Sequence, residues 1–348
     1  MNKLVMVAVA FVIGIGFQSS FPNSVSAEDF YKGKSIRFVV GFAAGGGYDL
    51  AARLVSRHIP KHIPGNPSVV VENMTGAGSL IAANYTYKGA KADGLTVGIW
   101  NGAYVLRQAL GDKAVRLDGR KLGWIGAPTK GTPVCAIMAH SGLKSFEDIL
   151  KSNKRIKMGA TRAGSTYDDL PKILNKVLNT KFDVISGYTG TGTISVAMRS
   201  KEVDGGCQTW ESMRTTMRAM LDAEGEDKMI PFLIHSRWED PEVKDVPLIP
   251  EIIKGDDNIA MYRAWIATYE FQRPFAVPPG TPKERLSVLR AAFAATMKDP
   301  EFLAEAEKSK LDVTYVTPEQ IATYVEQIMA MTPKAKESLQ FLVRKSKK

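Results

Sequence analysis

Two patterns of hydrophobic and polar residues alternate along the first third of the chain. Apolar, β-branched runs at 36–40 and 69–71 are typical of buried strands. Between them, apolar residues recur at helical spacing over residues 51–59. Strand, turn and helix then follow again, up to a third strand at 95–100. This order predicts an α/β fold with a largely parallel sheet.

The same order returns in a second block. Strands are predicted at 133–139, 156–160, 182–185 and 203–208, and helices at 146–150, 170–178 and 194–200. Amphipathic helices are predicted near the C-terminus at 282–298, 301–309 and 318–331. No low-complexity linker separates the blocks, so we expect two lobes joined by short crossing strands.

The first 27 residues are predicted to lie outside the fold. Lys3 precedes an unbroken apolar run over residues 4–17, and a small residue, Ala27, ends the segment. This order is typical of a secretory signal peptide, because a membrane span needs about 20 apolar residues. An N-terminal membrane anchor is the disfavoured alternative. We therefore expect cleavage near Ala27 and an exported, soluble chain.

Composition excludes several classes of protein. The chain has 348 residues, of which 45% are hydrophobic and 24% charged, so it is neither disordered nor collagen-like and can form two compact lobes. Its net charge of +10 suits an acidic ligand, or only keeps the protein soluble. No zinc-finger or RNA-binding motif occurs, so nucleic acid is not expected as a partner. Cys135 and Cys207 can form one disulfide or remain two buried thiols.

Four glycine- and hydroxyl-rich turns each follow a predicted strand and precede a helix. They lie at 45–49, 75–79, 164–166 and 190–193. Free amides and the dipole at the start of a helix favour a negative ligand, and glycine allows close approach. Such turns gather at the carboxyl ends of strands, so two turns from each block can face one another across a cleft. Any one of them can also be a simple turn, with Asp49, Ser165 or Thr166 capping its helix.

Motifs of enzymes are absent or incomplete. Leu50 stands where a dinucleotide fingerprint would need its third glycine. His58 and His62 have the spacing of a metal pair, but solvated histidines at a helix end are favoured. The segment 141–144 matches a Ser–Lys pattern without its companion motifs. We therefore expect no catalytic residue, no metal and no cofactor.

Longer segments resemble the Bug-type receptors of tripartite tricarboxylate transporters, a family of periplasmic solute-binding proteins. The family's opening signature is similar to residues 36–53, IRFVVGFAAGGGYDLAAR, and its second motif to residues 71–78, VENMTGAG. Shorter similar segments follow in order along essentially the whole mature chain. The resemblance implies a two-lobed periplasmic binding fold of type II with the ligand cleft between the lobes. Lobe I would comprise residues 28–127 and 251–348, and lobe II residues 128–250.

The resemblance also implies a function and a ligand site. Such a receptor captures a small mono-, di- or tricarboxylic acid in the periplasm by hinge closure and delivers it to integral membrane permease subunits. It is not an enzyme, and a monomer is expected. The implied ligand-binding residues are Ala44, Gly46, Gly47, Tyr48 and Asp49 in lobe I, and Ser165, Thr166, Tyr188, Thr189 and Gly190 in lobe II.

The chain departs from the family pattern at three places. Alanines at 43–44 replace two prolines, and Tyr48 replaces a small residue, where it can narrow the pocket or stack on a ring. Acidic residues at 168–169 stand where the family has a histidine, and they would repel an anion if they faced the cleft. The identity of the acid therefore stays open. An exported binding protein that serves a sensor, or an exported hydrolase, is the alternative.

Overall fold

The computed structural model describes residues 30–236 and 240–343. The predicted signal peptide at 1–27 lies outside these residues. Within them, no helix combines the length and the apolar character needed to cross a membrane.

Strands and helices alternate along the described chain. The strands are β1 (Ser35–Val40), β2 (Ser68–Asn73), β3 (Thr96–Ile99), β4 (Gly123–Gly126), β5 (Pro133–Met138), β6 (Ile156–Ala160), β7 (Phe182–Ser186), β8 (Gly205–Thr209), β9 (Met229–Ile234) and β10 (Phe275–Val277). The α-helices are α1 (Gly47–His58), α2 (Leu80–Lys88), α3 (Ala103–Ala109), α4 (Phe146–Lys151), α5 (Thr166–Leu178), α6 (Thr191–Arg199), α7 (Trp210–Thr216), α8 (Arg218–Leu221), α9 (Ile249–Ile252), α10 (Asp256–Ile266), α11 (Lys283–Thr296), α12 (Pro300–Lys308), α13 (Pro318–Met329) and α14 (Pro333–Leu339).

These strands form two five-stranded sheets with the same topology. The first sheet has the order β2-β1-β3-β10-β4 and the second the order β7-β6-β8-β5-β9. In the first sheet β1 lies between β2 and β3, and in the second β6 lies between β7 and β8, with all of these pairings parallel. One strand of each sheet runs against its two neighbours: β10 in the first sheet and β5 in the second. The predicted α/β fold with largely parallel sheets is therefore confirmed.

The two reversed strands show where the chain passes between the sheets. β10 begins at Phe275 opposite Ile99, the last residue of β3. β5 begins at Pro133 opposite Thr209, the last residue of β8. Each segment that passes between the sheets, the one before β5 and the one before β10, therefore lies at the carboxyl edges of the parallel strands. The passing segments also bond to each other, since the Gln272 amide donates to the Thr129 carbonyl at 3.0 Å.

Burial explains why these segments form their elements. Ile36, Phe38 and Val40 of β1 are fully buried, and the Phe38 ring contacts Phe275 at 5.4 Å between ring centres. Helix α1 buries one apolar face that includes Leu54 and Val55. A buried core residue of this size contributes about 1.5–3 kcal/mol. The helix is thereby held over the sheet with its first turn at the carboxyl edge.

The structure decides between the two alternatives for the cysteines. Cys135 and Cys207 form a disulfide between directly paired positions of β5 and β8. Both residues are fully buried. The bond therefore joins the reversed strand of the second sheet to β8, the neighbour that also pairs with β6.

Candidate functional site

The turn after β1 is held in place by Asp49. Its buried carboxylate accepts hydrogen bonds from the Gly45 amide, the Arg53 guanidinium and the Asn73 amide group, each at 2.9 Å. Burial works to raise the pKa of Asp49, but these hydrogen bonds keep it below the usual value. The protein itself thus satisfies the carboxylate, which favours its role as a local anchor of the turn over direct contact with a ligand.

Helix α1 begins beside this turn without a side-chain cap. Its N-cap is Gly46, which has no side chain to offer. Among the described residues, the amides of Gly47, Tyr48 and Asp49 have no hydrogen-bond acceptor, whereas Leu50 already donates to Gly46. The positive end of the helix dipole therefore faces the carboxyl edge with free N–H groups.

Tyr48 lies against this helix start. Its half-buried ring stacks on Phe42 at 4.3 Å between ring centres, and its hydroxyl donates to the Gln272 side chain at 3.2 Å. Burial raises the pKa of the Tyr48 phenol well above its usual value, so the hydroxyl stays protonated. Ala44, the neighbouring predicted residue, is exposed at the outside of the turn.

The turn after β2 has an unusual backbone. Four consecutive residues, 76–79, have positive φ angles, and two of them, Ala77 and Ser79, are not glycine. The Tyr104 hydroxyl, which contacts the Ala77 and Gly78 carbonyls at 2.6 and 2.7 Å, holds this conformation. Left-handed backbone of this kind costs about 1–3 kcal/mol per non-glycine residue and concentrates at functional sites.

The turn after β6 meets the first sheet's turns directly. The Gly164 carbonyl accepts from the Asn101 side chain at 3.0 Å, and a methyl group on Gly78 would come 2.8 Å from Arg162. Thr166 shares a hydrogen bond of 2.8 Å with the Tyr269 hydroxyl on the returning passage. One predicted first-block turn, at 75–79, therefore meets this second-block turn directly. The turn at 45–49 is linked to it through the returning passage, where Tyr48 bonds to Gln272 and Thr166 to Tyr269.

Ser165 and the two acids behind it build this turn. The Ser165 hydroxyl caps α5 by accepting the Asp168 amide, so the helix begins at Thr166. Asp168 bonds to Lys172 at 2.6 Å and to the Ser186 hydroxyl at 2.8 Å. Asp169 accepts the Gly164 amide at 3.0 Å. Both carboxyl groups are buried within the second block and are not exposed to the cleft. They therefore do not present an exposed negative charge that would repel an anionic ligand.

The turn after β7 is not drawn into the same contacts. The Gly190 amide donates to the Thr193 hydroxyl, and methyl groups added at Gly190 or Gly192 would meet nothing within 4 Å. Thr189 is exposed, and the Tyr188 hydroxyl donates to Glu202 at 2.6 Å. Tyr188, Thr189 and Gly190 thus remain predicted site residues whose contacts, in this structure, stay within the second block.

Arg273 lies on the returning passage between helix α1 and Ser212, and no sequence motif points to it. It is only 4% exposed, yet its buried Nε has no hydrogen-bond partner within residues 30–236 and 240–343. Its Nη2 donates to the Ser212 hydroxyl at 3.3 Å, and a methyl group on Gly47 would come 2.9 Å from the same nitrogen. One signal was available: Arg273 is the one charged residue in the otherwise apolar or uncharged stretch 271–277, FQRPFAV.

A cavity of about 490 Å³ lies beside helix α7, which forms part of its wall. It is lined by Thr132, Trp210, Glu211, Arg214, Ser236, Asp240, Pro241, Glu242 and Asp312. Arg214 forms ion pairs with Asp240 and Asp312, so its charge is balanced within the cavity wall. Burial raises the pKa of Glu211, against the attraction of Arg273.

The preferred prediction for the two histidines is wrong. His58, the last residue of α1, bonds to Glu305 of α12 at 2.6 Å, and His62, in the 3-10 turn that follows α1, bonds to Asp299, the N-cap of α12, at 2.8 Å. Both lie at helix ends, as expected, but they are partly buried and bonded to acids and are not solvated. His58 lies close to two carboxylates, Asp299 and Glu301, in an arrangement that could hold a cation. The Lys61 ammonium already lies 2.6 Å from Asp299, which disfavours a cation there.

Comparison with known proteins places the fold. The chain matches the periplasmic binding protein BugD with a TM-score of 0.68 and 20% identity, over 90% of this chain and 98% of that one. It matches MatC from Rhodopseudomonas palustris, solved with malate, with a TM-score of 0.65 and 21% identity, over 89% and 99% of the two chains. The chain thus has the two-lobed fold of the type II periplasmic binding proteins, as predicted.

Sequence relatives narrow this class. The chain is 24% identical over 285 residues to a UPF0065 protein of the TAR-I ttuE-ttuC' intergenic region of Agrobacterium vitis, covering 80% of this chain and 76% of the relative. It is 37% identical to protein BugT of Bordetella pertussis over 86 residues, or 25% and 26% of the two chains. No protein-family model matches the chain. With BugD among its structural neighbours, the chain is similar to the Bug proteins, and the resemblance found in its sequence is confirmed.

Proposed function

We propose that this protein is a periplasmic solute-binding receptor that captures a small organic acid between its two lobes. The observation that carries the proposal is that uncapped helix α1 and the turn at 164–166 both contact the returning segment 269–274, while the left-handed turn at 76–79 lies against Arg162. Amide groups at such positions bind carboxylates without a titrating side chain. Nothing in this arrangement requires a nucleophile or a general base, in keeping with neighbours that are described as binding proteins.

The ligand class rests on the neighbours as well as on the site. MatC was solved with malate, and the R. palustris protein Rpa4515, which this chain matches with a TM-score of 0.68 and 18% identity over 89% and 97% of the two chains, was solved with adipate. Both ligands are small dicarboxylic acids. We propose a ligand of the same kind, held by the first-lobe residues at 44–49 and, in the second lobe, by residues at 165–166 and 188–190.

Capture would proceed by hinge closure. Two short passing segments, 127–132 and 269–274, join the sheets and bond to each other through Thr129 and Gln272. A ligand that contacts both lobes favours the closed state by the difference in its contacts between the two states. We propose lobe I as residues 28–127 and 251–348 and lobe II as residues 128–250.

Delivery and location complete the proposal. The chain would be exported by its first 27 residues, be cleaved near Ala27, act as a monomer in the periplasm, and pass its ligand to integral membrane permease subunits. Pull-down of the mature protein with candidate permease subunits in detergent, with and without ligand, tests this step. Binding of the permease that does not depend on ligand would contradict ligand delivery.

The ligand proposal is tested on the mature protein, residues 28–348. Small molecules released by heat from the freshly purified protein are identified by mass spectrometry, and malate, adipate, succinate, citrate and acetate are titrated calorimetrically. A saturable binding heat, with a rise in unfolding temperature that grows with acid concentration, is expected for at least one of these acids. If no acid is released and none binds, the receptor function is refuted.

A further inference from the structure

An unbalanced positive charge lies at the point where the two blocks meet. The Arg273 guanidinium is 4% exposed and forms no ion pair within 4 Å among the described residues, unlike the partly exposed Arg53 and Arg107. An arginine stays charged in any protein environment, so burial without a counter-charge is unfavourable. The burial of the Arg273 guanidinium therefore needs a structural explanation.

The Tyr48 ring, whose centre is 5.7 Å from the guanidinium carbon, offsets part of this charge, but the start of α1 adds to it. The guanidinium faces Gly47 in the first turn of α1, where the amides are free and the helix dipole is positive. Cations are favoured at the opposite end of a helix, so Arg273 and the start of α1 repel each other. An anion that contacts both groups from the same side would be stabilised by both.

Neighbouring acids do not supply that anion. Glu211 attracts Arg273 electrostatically, but the two form no ion pair within 4 Å, and the Glu211 carboxylate is 3.4 Å from the Thr132 amide instead. Asp49 is already engaged by three donors, from Gly45, Arg53 and Asn73.

The donors around Arg273 are arranged for an acceptor from outside the chain. Nε is buried without a partner, and of the five N–H groups one, on Nη2, donates within the described chain. The Ser212 hydroxyl accepts this bond and another from Thr209, so its own proton is free to be donated. The backbone of Arg273 also has a φ of 56°, left-handed geometry that the following Pro274 disfavours further. Such strain is retained where the surrounding structure holds a functional group in place.

We propose that Arg273 and Ser212, together with the free amides of α1, form a direct carboxylate-binding subsite, so that the ligand presents at least one ionised carboxylate at the hinge side of the cleft. This inference rests on the proposed receptor function and specifies its ligand. Charge-assisted bonds from a guanidinium select a free acid over its amide or ester, because those derivatives carry no charge and leave the arginine unpaired.

The experiment measures calorimetric affinity of the mature protein for malate and adipate and for their neutral diamides. The variants are Arg273→Gln, Arg273→Lys and Ser212→Ala, with Arg37→Gln as matched control. Arg37 is an exposed arginine of β1 paired with Glu72, so its replacement changes the net charge equally without touching the subsite. Circular dichroism melts show whether each variant folds.

For an acid that binds the wild type, Arg273→Gln should raise its Kd roughly 10- to 100-fold, the loss expected for hydrogen bonds to a charged group. Ser212→Ala should raise it about 3- to 10-fold. Arg273→Lys should give an intermediate loss, the diamides should not bind, and Arg37→Gln should match the wild type.

Two results would overturn the subsite while leaving the receptor function standing. One is an acid that binds Arg273→Gln as tightly as the wild type, and the other is a diamide that binds like its acid. If Arg273→Gln does not fold, unchanged affinity in both Arg273→Lys and Ser212→Ala overturns the subsite. If the wild type binds neither acid, and none of the broader panel, the receptor function itself fails and the subsite with it.

Discussion

Replacing Asp169 by asparagine tests how strongly a buried carboxyl behind the 164–166 turn destabilises the protein at neutral pH. Asp169 is 3% exposed and accepts the Gly164 amide. Burial, followed by the like charge of Asp168, raises its pKa to about 7, against the attraction of Arg107 and Lys172. Asparagine keeps an oxygen for the Gly164 amide and removes the charge.

The size and sign of the effect follow from the pKa of Asp169. The ordinary value is 3.8, so the shift is about three units, or about 4 kcal/mol at most. Because the pKa is raised in the folded state, Asp169 does not destabilise the fold below about pH 4. Between pH 4 and 7 the loss of stability grows, because the carboxyl is ionised in the unfolded chain but still protonated in the folded protein. Above pH 7 the loss is constant.

Thermal unfolding followed by circular dichroism between pH 4 and 8, at fixed ionic strength, measures the effect. Asp169→Asn should unfold at a higher temperature than the wild type at pH 8, and the two should converge towards pH 4. Glu224→Gln, at an exposed acid of the second block, changes the charge equally and should follow the wild type. If Asp169→Asn shows the same pH dependence as the wild type, the carboxyl is not held in a raised-pKa state and the reasoning is refuted.

Three further predictions concern the site, the disulfide and the contact between the blocks. Gly47→Ala places a methyl group 2.9 Å from Arg273 and should weaken acid binding at least tenfold by calorimetry, whereas Gly192→Ala, which meets nothing within 4 Å, should bind like the wild type; equal losses would contradict the site. Replacing both Cys135 and Cys207 by serine opens a loop with a sequence separation of 72 and should lower the free energy of unfolding by about 4 kcal/mol. The unfolding temperature should fall, and reductant should lower it similarly in the wild type. An unchanged unfolding temperature would contradict this. Thr166→Val removes the 2.8 Å bond to Tyr269, worth about 1 kcal/mol, and should raise the radius of gyration of the ligand-free protein in X-ray scattering; an unchanged radius would mean that this contact does not hold the blocks together.

Much of the fold could be predicted because the parallel strands carry strong local signals. The run at 36–40 is β-branched and buried, and it leads into a glycine turn and an amphipathic helix. β10 has three residues, too few for any period, and it was not predicted; β4 and the six-residue β9 were missed as well. Their place in the sheet depends on pairing with distant strands, which a local pattern does not encode.

The candidate site likewise contains residues that local sequence patterns predict and residues that they do not. The turns at 45–49, 76–79 and 164–166 could be predicted, since glycine and hydroxyl residues before a helix report their own backbone geometry. Arg273 could not, because its position follows from the pairing of its neighbour Gln272 with Thr129 across the passage between the sheets. The pairing of His58 with Glu305 was likewise set by helix packing over 247 positions of sequence.

The place of β10 in the first sheet has a consequence for the order in which the molecule assembles. All strands of the second sheet lie between Pro133 and Ile234, so that sheet can form as soon as this segment has left the ribosome or the export channel. The first sheet begins earlier in the chain, yet without Phe275–Val277 its β4 has no strand to join. The half of the protein that is made first is therefore completed last, and until then the free edge of β3 has no partner strand on that side.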